Sequence, residues 1–382
     1  MHWIKTIREK NRNKYKEENM RKKVVILALV LLFVGFGFVY AENKNAQKTG
    51  NEILQELVDE EFAKLEKTGA ENNIFNIQYL KSFYWSLQSN VYVNVAFKAD
   101  LEQDVKRIKS EIETKYNQAV ARKKEIIAKQ NKKIKKEENK IKWEPPKLEE
   151  VMPKTFHAFY VRVFKDGKLI QKYKAPIPYD EKPLEFYSFG VILEPGEYEL
   201  HVVIADAVYK KVAGSKIMKI TVPDLTVKAL MKKRSKLSTS EPVFYKAVKQ
   251  LMQENKLFTV DKNCYEIGPM KLIFYPYIGT VAFKGTDKPV LTFYVFGTTP
   301  ALIRGSNQPQ WDVEAKLSVL KDGKAVLKFK PIKMKNPYFF QTLEFLRKDK
   351  KPLEPGDYTL KINLLDKNNR KKGEVKIDFK II

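Results

Sequence analysis

Few residues of this 382-residue chain have the type and spacing that chemistry needs. Cys264, in the stretch VDKNCYEIG, is the single cysteine, which removes any intramolecular disulfide framework and any Cys-based zinc cluster. A cysteine nucleophile needs a base within reach, and no histidine lies near it in sequence; a free, partly buried thiol is the expectation. The three histidines, His2, His157 and His201, leave little for a His-rich metal site. His157 opens a strand beside Phe156 and Phe159, where packing is expected. His201 falls on an outward strand position, where exposure to solvent is expected. Asp206 and Asp366 each end a strand before a Lys-rich turn, the place for an Asx hydrogen bond to the backbone that follows. No His-Glu-x-x-His, Gly-x-Ser-x-Gly, P-loop or EF-hand spacing occurs, so the marked hydrolase, phosphate and calcium chemistries have no support. No catalytic, cofactor-binding or metal residue is assigned.

Surface chemistry has more to work with. Aromatic clusters stand at Phe186, Tyr187 and Phe189, at Tyr338, Phe339 and Phe340, and at Phe274, Tyr275 and Tyr277. Such rings can stack on sugars, but strands are rich in aromatics and repeated positions are what a shared core predicts. A core role is the expectation. The other signal is cationic: Arg122, Lys123, Lys124, Lys129, Lys132, Lys133, Lys135 and Lys136 crowd one segment, against Glu125, Glu137 and Glu138. Such a run is either a solvated arm or a contact for anionic lipid, an envelope polysaccharide or an acidic partner.

The elements that must position these residues come from a repeat. FYVRVFKDGKLI at 159–170 and AKLSVLKDGKAV at 315–326 share Lys-Asp-Gly-Lys after an alternating segment, and LEPGEYEL at 193–200 matches LEPGDYTL at 353–360. Asp-Gly between alternating segments is a strong hairpin signal, because a type I′ turn needs positive φ at both central residues. Tyr198, Leu200, Val202 and Ile204 share one face, as do Tyr358, Leu360, Ile362 and Leu364, the period of a half-buried strand. Pro-Gly before Tyr198 and Tyr358 reads as a tyrosine corner, whose hydroxyl returns to upstream backbone in Greek-key sandwiches. Further strands are read at 271–279 and 290–297, with 77–85 and 91–99 taking those parts in the first copy.

Segment 101–143 interrupts the pattern. It has no Gly or Pro, and its apolar residues (Val105, Ile108, Ile112, Ala119, Ile126, Ile127, Ile134, Ile141) form a narrow helical stripe. A long exposed helix or helical hairpin is expected, inserted into the first sandwich; a single helix would reach about 60 Å. Its first half, from Val105 to Ala119, could pack on a second chain as a coiled coil and so give a homo-oligomer. Two shorter helices are expected, over Asn51–Lys67 with Gly69 beyond its end, and from Pro242 to about Lys256.

Compartment is read from the start of the chain. Met20, Arg21, Lys22 and Lys23 precede an apolar run from Val24 to about Val39, and Val39, Tyr40 and Ala41 supply a small-residue cleavage site. An uncleaved run would instead contact the membrane through residues 24–40. Lys+Arg 72 against Asp+Glu 46 gives a net charge of +26, a balance that first suggests nucleic acid. Lys is spread along the whole chain, however, and the expected location is exported, periplasmic or extracellular, so nucleic acid is not an expected partner. A hydrophobic content of 43% excludes a chain disordered throughout.

The fold class expected is mainly β: two tandem immunoglobulin-like β-sandwiches, the first interrupted by a basic helical insertion. The divisions are 1–41 signal peptide or anchor, 42–69 helix, 70–223 first sandwich with the insertion at about 101–143, 224–256 linker with helix, and 257–382 second sandwich. ITVPDL at 220–225, a Ser-containing linker, then LIFYPYIGTVAFKGTDKPVLTFYVFG at 272–297 resemble secreted bacterial sandwich modules associated with GWxTD domains and acidobacterial von Willebrand-related proteins. The Gly-Trp-x-Thr-Asp signature itself is absent. That resemblance implies an exported domain and no established catalytic activity. The function expected is a non-catalytic scaffold or interaction module of the cell envelope, whose partner is another envelope protein or an anionic surface polymer. The rivals are a carbohydrate-binding module using exposed aromatics such as Tyr187 and Tyr338, and an enzyme with a carboxylate site in the inter-domain cleft.

Overall fold

Turn chemistry sets the strand ends. Asp166 and Gly167 have φ of 50° and 71°, and Asp322 and Gly323 have φ of 51° and 76°, the double positive φ of a type I′ turn in both copies. The computed structural model describes residues 49–87, 89–134, 140–178, 184–250, 259–267, 272–302, 309–347 and 349–382. The apolar run at 24–40, with the signal or anchor reading that rests on it, lies outside them. Among the described residues no helix is long and apolar enough to cross a membrane.

Helix α1 (Gly50–Thr68) opens the described chain. Thr49 and Glu52 close a capping box, the Thr49 N–H to the Glu52 carboxylate at 2.5 Å and the Glu52 N–H to the Thr49 hydroxyl at 3.4 Å. Gly69, with φ of 67°, ends it through its N–H to the Leu65 carbonyl at 2.9 Å. Strands β1 (Gln78–Leu87) and β2 (Asn90–Lys98) then form a hairpin. Helices α2 (Glu102–Asn131) and α3 (Leu148–Val151) separate it from β3 (Thr155–Lys165), β4 (Lys168–Pro178), β5 (Tyr187–Leu193), β6 (Gly196–Asp206) and β7 (Ala213–Val222). After α4 (Val227–Met231) come β8 (Ser238–Thr239), β9 (Val243–Gln250), β10 (Val260–Lys262), β11 (Tyr265–Ile267), β12 (Leu272–Pro276), β13 (Ala282–Phe283) and β14 (Val290–Phe296). The chain closes with β15 (Ala301–Leu302), β16 (Pro309–Gln310), β17 (Val313–Lys321), β18 (Lys324–Lys328), β19 (Ile332–Met334), β20 (Tyr338–Thr342), β21 (Gly356–Asp366) and β22 (Lys371–Ile381).

The fold is mainly β, and the strands make two sandwiches. In the first, β4-β3-β6-β7 faces β1-β2-β5-β10 across Phe97, Phe159, Val161, Phe189, Leu200 and Val202. In the second, β18-β17-β21-β22-β13 faces β11-β12-β9-β14-β20 across Phe293, Leu317, Phe339, Leu360 and Phe379. Both tyrosine corners form: the Tyr198 hydroxyl donates to the Glu194 carbonyl at 2.9 Å and the Tyr358 hydroxyl to the Glu354 carbonyl at 2.7 Å. Lys165 and Lys321 lay their ammonium groups over those two rings, at 5.3 and 5.4 Å from the centroids.

The outer faces of the middle sheets carry apolar residues too, so the sandwiches pack on each other. Phe83, Trp85 and Tyr92 of the first meet Tyr245, Tyr265 and Phe274 of the second in a third core. Trp85 Nε1 donates to the Tyr265 hydroxyl at 3.2 Å, which also bonds the Tyr245 hydroxyl at 2.7 Å, so these buried polar atoms are partnered. Gly190 makes room for one crossing: a Cβ there would lie 1.9 Å from the Tyr92 hydroxyl, which donates to the Glu266 carbonyl at 2.6 Å. The junction, where the enzyme alternative placed a cleft, is therefore filled by rings at these positions.

Several expectations need correction. Residues 243–250 form β9, not a helix, and Phe244 and Tyr245 point to opposite buried faces; residues 251–258 lie outside the described chain. The part that 77–85 plays beside β2 is played beside β14 by β9, so 271–279 supplies an additional strand beyond it. Val260–Lys262, placed in the second sandwich, pairs with β5 of the first. His201 is buried rather than exposed. Its ring lies 4.4 Å from Phe164, and burial holds its pKa below the usual value. The reason is α1, which covers this face of the first sandwich with Val58, Phe62 and Leu65 packed on Tyr160, Val203 and Ala205. The Arg162 guanidinium bonds Asp59 at 2.7 Å and Glu66 at 2.6 Å in that helix. In the second sandwich the matching face carries the ion pairs of Glu314, Lys361 and Glu374 instead.

Candidate functional site

The insertion leaves the fold between β2 and β3. Leu101 is buried in the first core, and Asp100 accepts the Glu102 N–H at 3.4 Å where α2 begins. Ile108 and Ile112 pack on Phe156, with Val105, Leu148, Met152, Val208 and Tyr209 around them. The face expected to meet a second chain is thus covered by the protein's own residues at Ile108 and Ile112, which removes the coiled-coil seam from that half.

Beside this apolar contact is a charged one. Arg107 donates through Nε to Asp104 at 2.8 Å, through Nη1 to Glu111 at 2.9 Å and through Nη2 to Asp206 at 2.7 Å. Asp104 and Glu111 reach it because residues three and four apart share a helix face. Asp206, fully buried, also accepts the Val208 and Tyr209 N–H groups, each at 2.9 Å, which is the expected Asx turn. His157 Nε2 lies 2.9 Å from the second Asp104 oxygen, so its surroundings are polar as well as packed. Burial alone would raise the Asp104 pKa, but hydrogen bonds from His157 and Arg107 outweigh it and hold it below the usual carboxylate range. Burial likewise opposes the Arg107 charge, and the bonds to Asp104 and Asp206 outweigh it, leaving its pKa raised.

The second copy has the same socket with a different occupant. Asp366, also fully buried, accepts the Asn368 N–H at 3.0 Å and the Thr299 N–H at 2.8 Å. Thr299 lies in the loop between β14 and β17, the counterpart of the β2–β3 connection that carries the insertion. One buried carboxylate at the end of β6 or β21 thus takes a donor from the equivalent loop in each copy: a backbone N–H in one, the arm's arginine in the other.

Beyond Tyr116 the arm leaves the sandwich but is braced by its own return. The Tyr116 hydroxyl donates to the Pro146 carbonyl at 2.5 Å. Asn131 bonds both backbone groups of Ile141, accepting its N–H at 2.7 Å and donating to its carbonyl at 3.0 Å. The helix ends at Asn131, short of the expected 143, so it is about 45 Å long at 1.5 Å per residue. Of the predicted cations, Arg122, Lys124, Lys129, Lys132 and Lys133 are exposed and Lys123 is half-buried. Lys129 pairs with Glu125 at 2.7 Å, an exposed i,i+4 pair worth a few tenths of a kcal/mol. Lys135 and Lys136 lie outside the described residues. The aromatic positions divide: Phe186, Tyr187, Phe189, Phe274 and Phe339 are buried, and Tyr338 packs on Trp85 at 5.1 Å and Tyr294 at 4.8 Å, while Phe340 is exposed.

A second polar cluster surrounds the crossing from β10 to β11. Burial, reinforced by the Glu266 charge, pushes the Asp261 carboxyl up to about 7, and burial with the same carboxylates pushes the Cys264 thiol up to about 12. Among the described residues no group of three or more His, Cys, Asp or Glu side chains could hold a metal ion.

No family model matches the chain, and no curated protein matches it. Among solved structures, dimeric latent PorU from Porphyromonas gingivalis is similar at 9% identity and a TM-score of 0.26, over 84% of this chain. The matched part is 21% of that protein, and a likeness of this size carries no argument about function.

Proposed function

We propose that the protein is a non-catalytic, exported scaffold or interaction module of the cell envelope, presenting α2 as a cationic contact surface on a rigid double sandwich. The observation that carries this reading is the division of α2 into two halves. The first is fixed to the sandwich by Ile108, Ile112 and the Arg107 bonds to three carboxylates. The second, braced through Tyr116 and Asn131, turns Arg122, Lys124, Lys129, Lys132 and Lys133 to solvent. A stiff mount of this kind spares a binding surface the entropy of ordering itself, which flexible basic tails lose on contact. The partner is anionic: an acidic envelope protein or a charged surface polymer. Affinity capture from an envelope extract tests it, using the whole protein and a variant with Arg122, Lys124, Lys129 and Lys133 changed to Glu. Retention of the same captured components by the charge-reversed variant would overturn the reading.

A further inference from the structure

The chain passes from one sandwich to the other within two residues. Lys262 still pairs with Tyr187 of β5, and Tyr265 already pairs with Phe274 of β12. Asn263, with φ of 52°, and Cys264 make the step. The first sandwich holds this crossing closely. The Asn263 side-chain oxygen accepts the Glu185 and Phe186 N–H groups at 2.7 and 3.0 Å, and the Asn263 N–H donates to the Phe186 carbonyl at 3.0 Å. Ser188 Oγ donates to the Cys264 carbonyl at 2.7 Å, and the Tyr92 hydroxyl to the Glu266 carbonyl at 2.6 Å. Each of these bonds joins a residue of the first sandwich to the crossing, so lifting β10 from β5 uncouples this edge of the junction.

The weak point is the centre of β10. Its ladder with β5 is Val260, Asp261 and Lys262, and Asp261 stands opposite the fully buried Ser188. The Asp261 carboxylate accepts the Thr259 hydroxyl at 3.3 Å, a long bond for a carboxylate. The charge acting on it is a second carboxylate, Glu266 of β11, which adds repulsion to the cost of burial. The cations nearby are engaged elsewhere. Lys249 of β9 acts on the Cys264 thiol and lies over the Tyr275 ring of β12, 5.0 Å from its centroid. Lys246 of β9 pairs with Glu185 at 2.7 Å, and Lys262 stands with Tyr187 on the other face of the sheet. Tyr92 of β2 and Cys264 are both held neutral by burial.

We propose that the Asp261–Glu266 pair makes the β10–β11 crossing a proton-operated latch between the two sandwiches, closed while the pair holds a proton and loosened as that proton leaves. The latch concerns the coupling of the sandwiches and does not depend on the contact surface of α2. Its sign follows from Asp261. Burial and the Glu266 charge push this carboxyl up to about 7, whereas in an opened, hydrated crossing the ordinary value of about 3.9 applies. The closed form therefore binds the proton more tightly. Opening becomes easier by about tenfold per pH unit from about pH 4 to 7 and levels off above that.

Hydrogen exchange of the full chain, read by mass spectrometry, tests the latch. Protection of peptides covering 259–267 is measured from pH 5 to 9, with the intrinsic exchange rate divided out at each pH, beside that of β6 peptides in the outer sheet. The expected result is a local opening, with protection at 259–267 below that of β6. It should fall about a hundredfold between pH 5 and 8 and stay flat from 8 to 9. Asp261→Asn should make this protection independent of pH, and Glu266→Gln, which removes the repulsion, should end the fall at a lower pH. Protection at 259–267 that does not change with pH, or that falls equally in Asp261→Asn, overturns the proposal. Protection equal to that of β6 at every pH also overturns it, because the crossing would then open only when the whole molecule unfolds.

Discussion

Arg107→Leu isolates what holds the arm to the sandwich. The guanidinium supplies the charge partner of Asp206 Oδ2 at 2.7 Å, and Asp206 has no exposed surface. Its other oxygen is taken by the Val208 and Tyr209 N–H groups. Removing one member of a buried ion pair costs about 3–5 kcal/mol, because the remaining charge stays buried without compensation. The Arg107 side chain is 31% exposed, so water can enter in its place, and the lower end of about 3 kcal/mol is expected. Its bonds to Asp104 and Glu111 add a few tenths each, since those groups keep other partners or solvent. The assay is urea unfolding combined with hydrogen exchange along residues 102–118, where protection should fall first. Asp206→Asn in the Arg107→Leu background removes the stranded charge yet keeps an acceptor for the turn. It should recover about half the loss, with a coupling energy of about 1.5 kcal/mol or more in the double-mutant cycle. A single-variant loss below 1 kcal/mol, or no recovery in the pair, would refute the view that a buried ion pair fastens the arm.

Three other outcomes follow from the geometry. With its folded pKa pushed up to about 7 from an unfolded value near 3.9, Asp261 binds its proton more tightly in the native state. Its contribution to stability is present below about pH 4 and is lost as pH rises toward 7; Asp261→Asn should remove that slope in urea titrations and stabilise the protein at pH 8 by up to ~4 kcal/mol. Tyr198→Phe and Tyr358→Phe each lose one corner hydrogen bond and should cost about 1 kcal/mol, read as a fall in Tm of about 2 °C per site in calorimetry. The Cys264 thiol, pushed up to about 12, should react with Ellman's reagent at pH 8 about a thousandfold more slowly in the native protein than in urea.

Short-range bonding was legible in the chain. The two Asp-Gly turns, the Pro-Gly corners of Tyr198 and Tyr358, the Asx turns of Asp206 and Asp366, and the end of α1 at Gly69 all involve groups within a few residues of each other. Their geometry is written in neighbouring side chains. The repeat extended those local signals to two sandwiches, and the helical stripe of the insertion marked the face that carries Ile108 and Ile112.

Partners distant in sequence were not legible. Arg107 and Asp206 are 99 residues apart, Trp85 and Tyr265 are 180 apart, and nothing in either neighbourhood specifies the other. The repeat equates His201 with Lys361 at an outward position, whereas α1 covers only the first sandwich. In β9, Phe244 and Tyr245 serve two different cores, so its sequence shows no two-residue alternation of polar and apolar residues. Sequence alone determined the mainly-β class, the tandem repeat and the basic insertion, since local turns and periodic faces need only adjacent residues. Which faces are covered, where the arm is fastened, and that the two sandwiches share an aromatic core were decided by tertiary packing, because burial is a property of what lies opposite in space.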